Sequence, residues 1–335
     1  MTTEATLIEK IRRAIPSRAG GFLRLGIGDD AAVLRGFTRG RQARGVLSDW
    51  VFTSDSFLEG VHFLPSRHPS RAVGYKALAR ALSDIAAMGA VPRVFLLNLA
   101  FPQKLTGSWL DQFLEGMARA ARNFRVVLAG GDIAQFPFVA ISLAVVGEVP
   151  TGKAVKRSGA RPGDLLFVSG TLGAAQLGLE LILRHGKPTG SLLRSPALRT
   201  HLFPNPRLEL GAWLAGRGLV SAMIDTSDGF STDLARLCQA SRVGVHVWAD
   251  RLPGVQVAPG LRRNGLSSLE LALHGGEDYE LLFAVPSRLA RRIPSSHRGV
   301  RLTQVGEFVR GREVRLIDSD DRASKLAPRG WDHFR

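Results

Sequence analysis

Acidic residues held in glycine-containing turns are the feature of this sequence that points most directly to chemistry. Five such turns occur along the chain, each near the end of a strand-like segment, where the backbone keeps a carboxylate exposed. A further acid, Asp84, stands in the last turn of a long helical pattern, just before Gly89. The five turns are residues 26–30, 53–55, 130–132, 225–229 and 275–278.

Such a set of carboxylates suits Mg²⁺, a hard cation that binds carboxylate, carbonyl and water oxygens and often bridges carboxylates to substrate phosphates. Each turn alone also has a structural explanation, because Asp beside Gly often forms a turn or caps a helix. Asp228 is placed to cap the helix after Gly229, and Asp84 to pair with Arg80 one turn earlier. Five turns together favour a site that holds several metal ions.

Signatures of other catalytic sites are missing from the sequence. There is no phosphate-binding P-loop, no dinucleotide-binding glycine motif, no protein-kinase signature, no serine-nucleophile elbow and no zinc-protease helix. If the protein binds phosphate, metal ions and the glycine turns must hold it. His62 is the most suggestive histidine, although a lone histidine is more often structural than catalytic.

The composition is that of a folded protein, with 45% hydrophobic and 22% charged residues. A chain of 335 residues exceeds the usual size of one hydrophobic core, which favours two domains. No apolar run is long enough to span a bilayer, and the first residues lack the order of a secretory signal, so we expect a cytoplasmic protein. Cys238, the single cysteine, fits a small buried hydrophobe better than a nucleophile.

The net charge of +16 raises the question of a nucleic-acid partner. The arginines are scattered singly along the chain, and the aromatic residues do not interleave with them as base-stacking platforms would. A solvated basic surface is therefore favoured, and we expect no nucleic-acid partner. A basic nucleic-acid-binding protein built on an inactive enzyme fold stays as a remote alternative.

Strand and helix patterns alternate along the chain, as expected for a mixed α/β protein. The longest predicted helix covers residues 69–88, with Pro early and Gly89 at its end. Other helices are predicted at residues 6–14, 108–123, 173–184, 206–217 and 231–241, and strands at 46–53, 93–100, 125–129, 138–147, 164–169, 222–225, 244–249 and 279–285.

The segment 149–163 is rich in turn-forming residues and has little periodicity, so we place a domain boundary near residue 150. The two predicted domains are residues 1–150 and 151–335. The tail from 308 to 335 is polar and basic with weak periodicity, and no element is predicted there.

Taken in order, these motifs make the chain resemble the thiamine-monophosphate kinase family, which shares its fold with aminoimidazole ribonucleotide synthetase. The resemblance runs almost from end to end. Its motifs are Gly-Ile-Gly-Asp-Asp at 26–30, Thr-Ser-Asp at 53–55, Glu-Gly-Val-His-Phe at 59–63, Tyr-Lys-Ala-Leu-Ala at 75–79, Leu-Ser-Asp-Ile-Ala-Ala-Met-Gly-Ala at 82–90, Gly-Gly-Asp at 130–132, Arg-Ser-Gly-Ala-Arg-Pro-Gly-Asp at 157–164, Ile-Asp-Thr-Ser-Asp-Gly at 224–229, Gly-Gly-Glu-Asp-Tyr-Glu at 275–280 and Gly-Trp-Asp-His-Phe at 330–334.

The resemblance implies transfer of the γ-phosphoryl group of ATP to thiamine monophosphate, with several Mg²⁺ ions and no general base. It also implies a homodimer whose N-terminal domains pair their mixed, helix-flanked sheets, with a C-terminal α/β sandwich completing the nucleotide and substrate site. Carried over by position, the implied roles are metal ligation by Asp30, Thr53, Ser54, Asp55, Asp84, Asp132, Asp225 and Asp228, ATP binding by Gly131, Asp132, Arg157 and Ser227, and substrate binding by His62, Glu277 and Trp331.

One position departs from the family pattern: Ile133 stands where a threonine is expected, so a hydroxyl is lost after Asp132. Among relatives of the same fold, selenophosphate synthetase would need a reactive thiol near the N-terminus, and Cys238 is the only cysteine. Aminoimidazole ribonucleotide synthetase stays open as an alternative, although the motif at 330–334 favours the thiamine enzymes.

Overall fold

The computed structural model of the protein describes residues 6, 8, 9, 23–36 and 48–334. In this part of the chain, residues up to 150 form a six-stranded sheet with strand order β1-β2-β3-β6-β4-β5. Neighbouring strands are antiparallel except β4 and β5, which are parallel. The strands are β1 Leu23–Leu25, β2 Ala32–Arg35, β3 Ser48–Leu58, β4 Val91–Phe101, β5 Val127–Gln135 and β6 Ala140–Pro150.

Residues after 164 form a second sheet of eight strands within the described residues, in the order β14-β13-β9-β12-β7-β10-β8, with β11 paired to β12. Its pairs are antiparallel except β9 with β13. The strands are β7 Leu165–Ser169, β8 Ala222–Asp225, β9 Gly244–Trp248, β10 Leu281–Val285, β11 Ser296–His297, β12 Val300–Val309, β13 Val314–Ile317 and β14 Ala323–Lys325.

Helices pack on both sheets, which gives the mixed α/β fold that the sequence predicts. None of the helices in the described part of the chain has the length and apolar character that crossing a bilayer requires. The α-helices in the described residues range from five to eighteen residues in length. In chain order they are α1 Ser70–Ala87, α2 Ser108–Phe124, α3 Ala174–His185, α4 Pro196–Leu202, α5 Leu208–Gly216, α6 Phe230–Ser241, α7 Pro259–Arg263 and α8 Ser268–His274.

Helix α1 is buried on almost all sides and packs against both halves of the chain. Leu78 and Leu82 belong to the core under the first sheet. Ala86, one turn further on, belongs to a separate core with Leu214 of α5. Because both halves pack on the same helix, side chains near its C-terminal end lie between the two sheets.

The end of α1 follows from its glycine. Gly89 adopts φ +67°, a left-handed conformation that side chains disfavour, and a Cβ atom there would lie 2.3 Å from Cβ of Ala215. The helix therefore ends at Ala87, and the chain turns at once into β4. The helix predicted over residues 69–88 is confirmed to within one residue at each end.

The other predicted elements agree in type, with longer strands in several places. Strand β3 continues to Leu58 and β5 to Gln135, beyond the predicted ends at 53 and 129. The tail, for which no element was predicted, contains β13 and β14. The helix predicted at residues 6–14 lies largely outside the described residues. Cys238 is buried as predicted, and burial raises the pKa of its thiol to about 12.

Candidate active site

Three carboxylates from distant parts of the chain meet between the two sheets. Asp30 follows β1, Asp84 lies in the last turn of α1, and Asp225 is the last residue of β8. Each offers an oxygen atom, and these oxygens all lie within 4.8 Å of one another. The site therefore combines residues from both predicted domains, because α1 packs against both.

This carboxylate cluster is electrostatically costly when it holds no cation. Burial, followed by the charge of Asp30, raises the pKa of Asp225 to about 7, and burial with the charge of Asp225 raises the pKa of Asp84 as well. One buried oxygen of Asp30 and one of Asp225 have no hydrogen-bond partner among the described residues. Converging carboxylates with spare oxygens fit the ligand preference of a hard divalent cation.

Strand β3 adds two polar side chains on the face that α1 covers. Thr53 and Asp55 are two residues apart and so point to the same side of the strand. The hydroxyl of Thr53 donates to Asp84. Asp55 pairs with Arg80, so the pairing of Asp84 with Arg80 that the helix spacing suggested is wrong. Arg80 reaches the strand because its long side chain extends across the helix–sheet interface.

Arg157 connects the linker after the first sheet to the turn that carries Asp30. Its Nε and Nη2 atoms donate to one oxygen of Asp30, at 3.0 and 2.6 Å. Its backbone amide donates to Asp29, at 3.2 Å. Burial, followed by the charge of Asp30, raises the pKa of Asp29 to about 6. The guanidinium thus compensates part of the negative charge beside the carboxylate cluster.

The turn after β8 contributes Ser227 and Asp228 to the same region. Asp228 does not cap α6: its carboxylate pairs with Arg236, while Asp233 accepts the backbone amides of Asp228 and Gly229 at 3.1 Å. The capping role suggested by the sequence is therefore wrong: Gly229 is the N-cap residue of α6, and the carboxylate of Asp228 binds Arg236 instead of a helix amide. Asp228 is left on the side of the turn that faces the cleft.

A cleft of about 750 Å³ opens beside the carboxylate cluster. Asp55, Asp84 and Asp225 form one part of its wall. Another part is formed by the three residues predicted to bind the substrate. These three are His62, Glu277 and Trp331, so the structure brings them together from a loop after β3, a glycine turn before β10 and the C-terminal tail.

His62 is a neutral donor at the cleft wall. Its Nδ1 accepts the backbone amide of Leu58 at 3.0 Å, so in the neutral ring the proton lies on Nε2. Burial, followed by the charge of Arg80, lowers the pKa of His62 to about 3, which keeps the ring neutral. Nε2 is buried and has no acceptor among the described residues. This N–H is therefore available to a ligand.

Glu277 is held in a strained turn by a buried lysine. Its φ of +67° lies in the left-handed region, which a non-glycine residue adopts only when its surroundings compensate. Its amide donates to the carbonyl of Ser227 at 2.8 Å, and its carboxylate accepts from Nζ of Lys76 at 2.7 Å. Nζ also lies 3.4 Å from Nδ1 of His201. The carboxylate is thus fixed at the cleft wall.

Trp331 lies in the tail, which is anchored to the turn before α6. The backbone amide of Trp331 donates to the carbonyl of Asp228 at 2.9 Å, and that of Gly330 donates to Thr232 at 3.0 Å. The indole lines the cleft and is 50% exposed. Backbone anchoring with an exposed ring leaves a flat aromatic face free at the mouth of the cleft.

The structure separates three of the predicted residues from this group. Ser54 alternates with Thr53 and Asp55, so its side chain points to the outer, exposed face of the sheet. Gly131 and Asp132 lie on the exposed edge strand β5, three strands from β3. Three strand spacings correspond to about 14 Å, too far for a shared metal ion within one chain.

Sequence reasoning missed two charged residues of α1 that contact the site, Lys76 and Arg80. A signal was present, because Lys76, Arg80 and Asp84 recur at intervals of four in a helix that is otherwise mostly apolar. Such spacing places all three on one face. His201, which lies beside Lys76, gave no signal in the sequence.

Two families of domains match this chain over the regions that form the two sheets. The N-terminal domain of AIR synthase related protein matches residues 28–149, and the C-terminal domain of AIR synthase related protein matches residues 161–319. The fold and the cleft therefore define a protein of this two-part class. Solved structures of HypE, a hydrogenase maturation protein, share the fold at low identity; the HypE–HypF complex matches at 18% identity with a TM-score of 0.73.

Higher identity is found among thiamine-monophosphate kinases. The enzyme of Escherichia coli K12 is 35% identical over 92% of this chain and 92% of its own length, and that of Aquifex aeolicus is 33% identical over 99% and 98%. A solved structure described as "AaThiL complexed with AMPPCP and TMP" matches with a TM-score of 0.81 at 32% identity, over 99% of this chain and 97% of that one. This chain belongs to the thiamine-monophosphate kinase family, which confirms the resemblance found in the sequence.

Proposed function

We propose that this chain transfers the γ-phosphoryl group of ATP to the phosphate of thiamine monophosphate, giving thiamine diphosphate and ADP. One observation carries the proposal: carboxylates from both halves of the chain converge at a cleft whose far wall holds His62, Glu277 and Trp331. The family relatives bear the same activity in their names, and one of their structures is described with AMPPCP, an ATP analogue, and TMP.

In this reaction the protein must position the two phosphate groups and compensate their negative charge. An oxygen of the acceptor phosphate attacks the γ-phosphorus, and the bond from that phosphorus to the oxygen of the leaving ADP breaks. The attacking oxygen is already ionised, so no general base is needed. The protein must hold two anionic groups close together and in line.

Magnesium is the metal we propose for the carboxylate cluster. Asp30, Asp84 and Asp225 would hold it, with Asp55 and Asp228 close by at the same cleft and Thr53 bonded to Asp84. When bound, Mg²⁺ supplies positive charge that offsets the repulsion between the two phosphate chains. The spare, buried oxygens of Asp30 and Asp225 support this assignment.

Side chains around the cleft compensate the remaining charge. We assign Arg157 and Ser227 to the ATP phosphates, because both line the cleft beside the carboxylates. Arg157 is fixed by Asp30, so its guanidinium does not have to be ordered when the nucleotide binds.

The other wall suits the organic part of thiamine monophosphate, which combines a cationic thiazolium ring with a flat aminopyrimidine. The indole face of Trp331 attracts a cation or stacks on a flat ring. The carboxylate of Glu277 attracts positive charge, and Nε2 of His62 offers a hydrogen bond to a ring nitrogen. We assign these three residues to the thiamine moiety.

A homodimer is part of the proposal. The outer face of the first sheet is apolar and exposed, with Phe52, Leu58 and Leu96 at 36–43% exposure, and every residue of the edge strand β5 is exposed. A second copy packed on this face would cover it. Gly131 and Asp132 lie on this edge strand, so they would stand at the interface between the two copies.

The roles of the two domains follow from this arrangement. We propose residues 1–150 as the part that pairs in the dimer and supplies most metal ligands, and residues 151–335 as the part that completes the nucleotide and substrate site. A cytoplasmic location, expected from the sequence, stays a prediction.

The test compares candidate substrates directly. Purified protein with MgATP is given thiamine monophosphate or the ribonucleotide substrate of aminoimidazole ribonucleotide synthetase, and ADP and thiamine diphosphate are quantified by chromatography. We expect ADP and thiamine diphosphate in equal amounts with thiamine monophosphate only, and no turnover in EDTA. ATP consumption with the ribonucleotide alone would instead assign the chain to the synthetase reaction.

A further inference from the structure

A stripe of three charged residues runs along the face of α1 that borders the cleft. Lys76, Arg80 and Asp84 are spaced by four residues, so they lie one above another on the helix. Lys76 is fully paired with Glu277 at the wall assigned to the thiamine moiety, and Asp84 belongs to the carboxylate cluster. Arg80 is therefore placed between the two parts of the cleft.

The contacts of Arg80 leave part of its guanidinium unused. Nε lies 2.7 Å from Oδ2 of Asp55, and Nη2 donates to Oδ1 at 3.1 Å. The guanidinium carbon lies 5.2 Å from the ring centre of Phe57, over its face. Nη1 has no hydrogen-bond acceptor among the described residues. The side chain of Arg80 is only 14% exposed. Buried donors normally have an acceptor, so an N–H of this guanidinium without one is unusual.

The charge of Arg80 persists in this setting. A guanidinium stays protonated in proteins, and the carboxylate of Asp55 lies against this one. The side chain also lines the cleft, next to His62 and Asp84. A fixed, permanent cation thus stands where the two walls of the cleft meet.

Neither of the neighbouring cations can take the same role. Lys76 is fully buried and bound to Glu277. Arg157 directs both Nε and Nη2 to Asp30, on the carboxylate side. Of Lys76, Arg80 and Arg157, Arg80 is the one that combines a position between the walls with a donor atom that has no acceptor among the described residues.

We propose that Arg80 binds the phosphate group of thiamine monophosphate. This inference rests on the proposed function and deepens it, since it assigns the acceptor phosphate to a named side chain. The substrate must place its ring system at His62, Glu277 and Trp331 and its phosphate beside the carboxylate cluster, and Arg80 lies on that path. A planar guanidinium matches phosphate oxygens and cannot lose its charge.

Steady-state kinetics of Arg80→Gln and Arg80→Lys test the assignment. We expect the KM for thiamine monophosphate to rise at least tenfold in Arg80→Gln and less in Arg80→Lys, which keeps the charge, while the KM for ATP stays within threefold. Arg315→Gln is the matched control, because Arg315 is exposed, pairs with Glu313 and is not part of the cleft wall. Its kinetic constants should equal those of the wild type.

Equilibrium dialysis in EDTA without ATP gives a second readout that does not depend on turnover. Arg80→Gln should lose at least tenfold in affinity for labelled thiamine monophosphate but keep its affinity for thiamine, which lacks the phosphate, within twofold. Equal losses for both ligands, or a KM for ATP that rises as much as that for thiamine monophosphate, would show that Arg80 acts only by positioning Asp55. A wild type that makes no thiamine diphosphate would overturn the proposed function itself, whatever the variants do.

Discussion

Two nitrogen atoms of Arg157 donate to a single carboxylate oxygen of Asp30, at 3.0 and 2.6 Å, although the residues are 127 positions apart in the chain. The side chain of Asp30 is fully buried, while that of Arg157 is 22% exposed. The contact joins the turn after β1 to the segment between the two sheets. It therefore holds the carboxylate cluster and the proposed nucleotide contact in one unit.

Arg157→Gln should weaken both activity and folding. We expect the rate to fall by about 100-fold or more, because a fixed cation beside the transferred group is lost. The free energy of unfolding should fall by about 3 kcal/mol, because a buried carboxylate loses its partner. Urea denaturation in EDTA measures the second effect. Arg298→Gln, which removes an exposed pair with Glu209, is the control and should change stability by less than about 0.5 kcal/mol.

In the metal-free protein, the contribution of Asp225 to stability should fall as the pH rises from about 4 to about 7. The pKa of Asp225 is about 7 in the folded protein, against about 3.9 in an unfolded chain, so the folded form keeps a proton that unfolding releases in this range. The melting temperature of the wild type in EDTA, taken relative to that of Asp225→Asn, should therefore fall as the pH rises. Identical pH profiles for the two proteins would contradict this account of the cluster.

Gly74→Ala should destabilise the contact between α1 and α2. A Cβ atom at Gly74 would lie 1.9 Å from the carbonyl oxygen of Phe113, closer than any side-chain carbon can approach backbone. We expect a loss of about 3 kcal/mol in the free energy of unfolding, measured by urea denaturation. Gly216→Ala is the control: Gly216 is also helical, in α5, and has open space around it, so this substitution should not destabilise the protein.

Ile133→Lys should convert the proposed dimer into monomers. Ile133 is 65% exposed on β5, where the sequence departs from its family, and a charge there would be buried by a partner copy. Light scattering after size-exclusion chromatography measures the mass. Leu269→Lys, at an exposed position of α8, should leave the mass unchanged. A wild-type protein that is already monomeric at micromolar concentration would rule out the proposed pairing.

Local patterns predicted most of the elements that position the site. The spacing of apolar residues over 69–88 and the glycine after them were enough to predict α1. Both the helical pattern and its end are set by residues within this segment. The short strands β13 and β14 had no such signal. β13 forms because it lies parallel to β9, nearly 70 residues earlier, and such a distant pairing leaves no periodicity in four residues.

The candidate site was predictable by residue type but not by geometry. Glycine turns identified Asp30 and Asp225, the end of a helical pattern identified Asp84, and the fold does bring these three together. The sequence did not reveal that Ser54 and Asp132 face away from them, because that depends on strand order and on which face α1 covers.

The most direct test of the central claim follows the phosphorus atom. ATP labelled with ³²P at the γ position is incubated with Mg²⁺, thiamine monophosphate and either the wild type or Asp84→Asn, and the products are separated by chromatography. The account predicts label in thiamine diphosphate, in an amount equal to the ADP formed, and almost none with the variant. Label released only as inorganic phosphate, or equal labelling by both proteins, would contradict phosphoryl transfer at the carboxylate cluster.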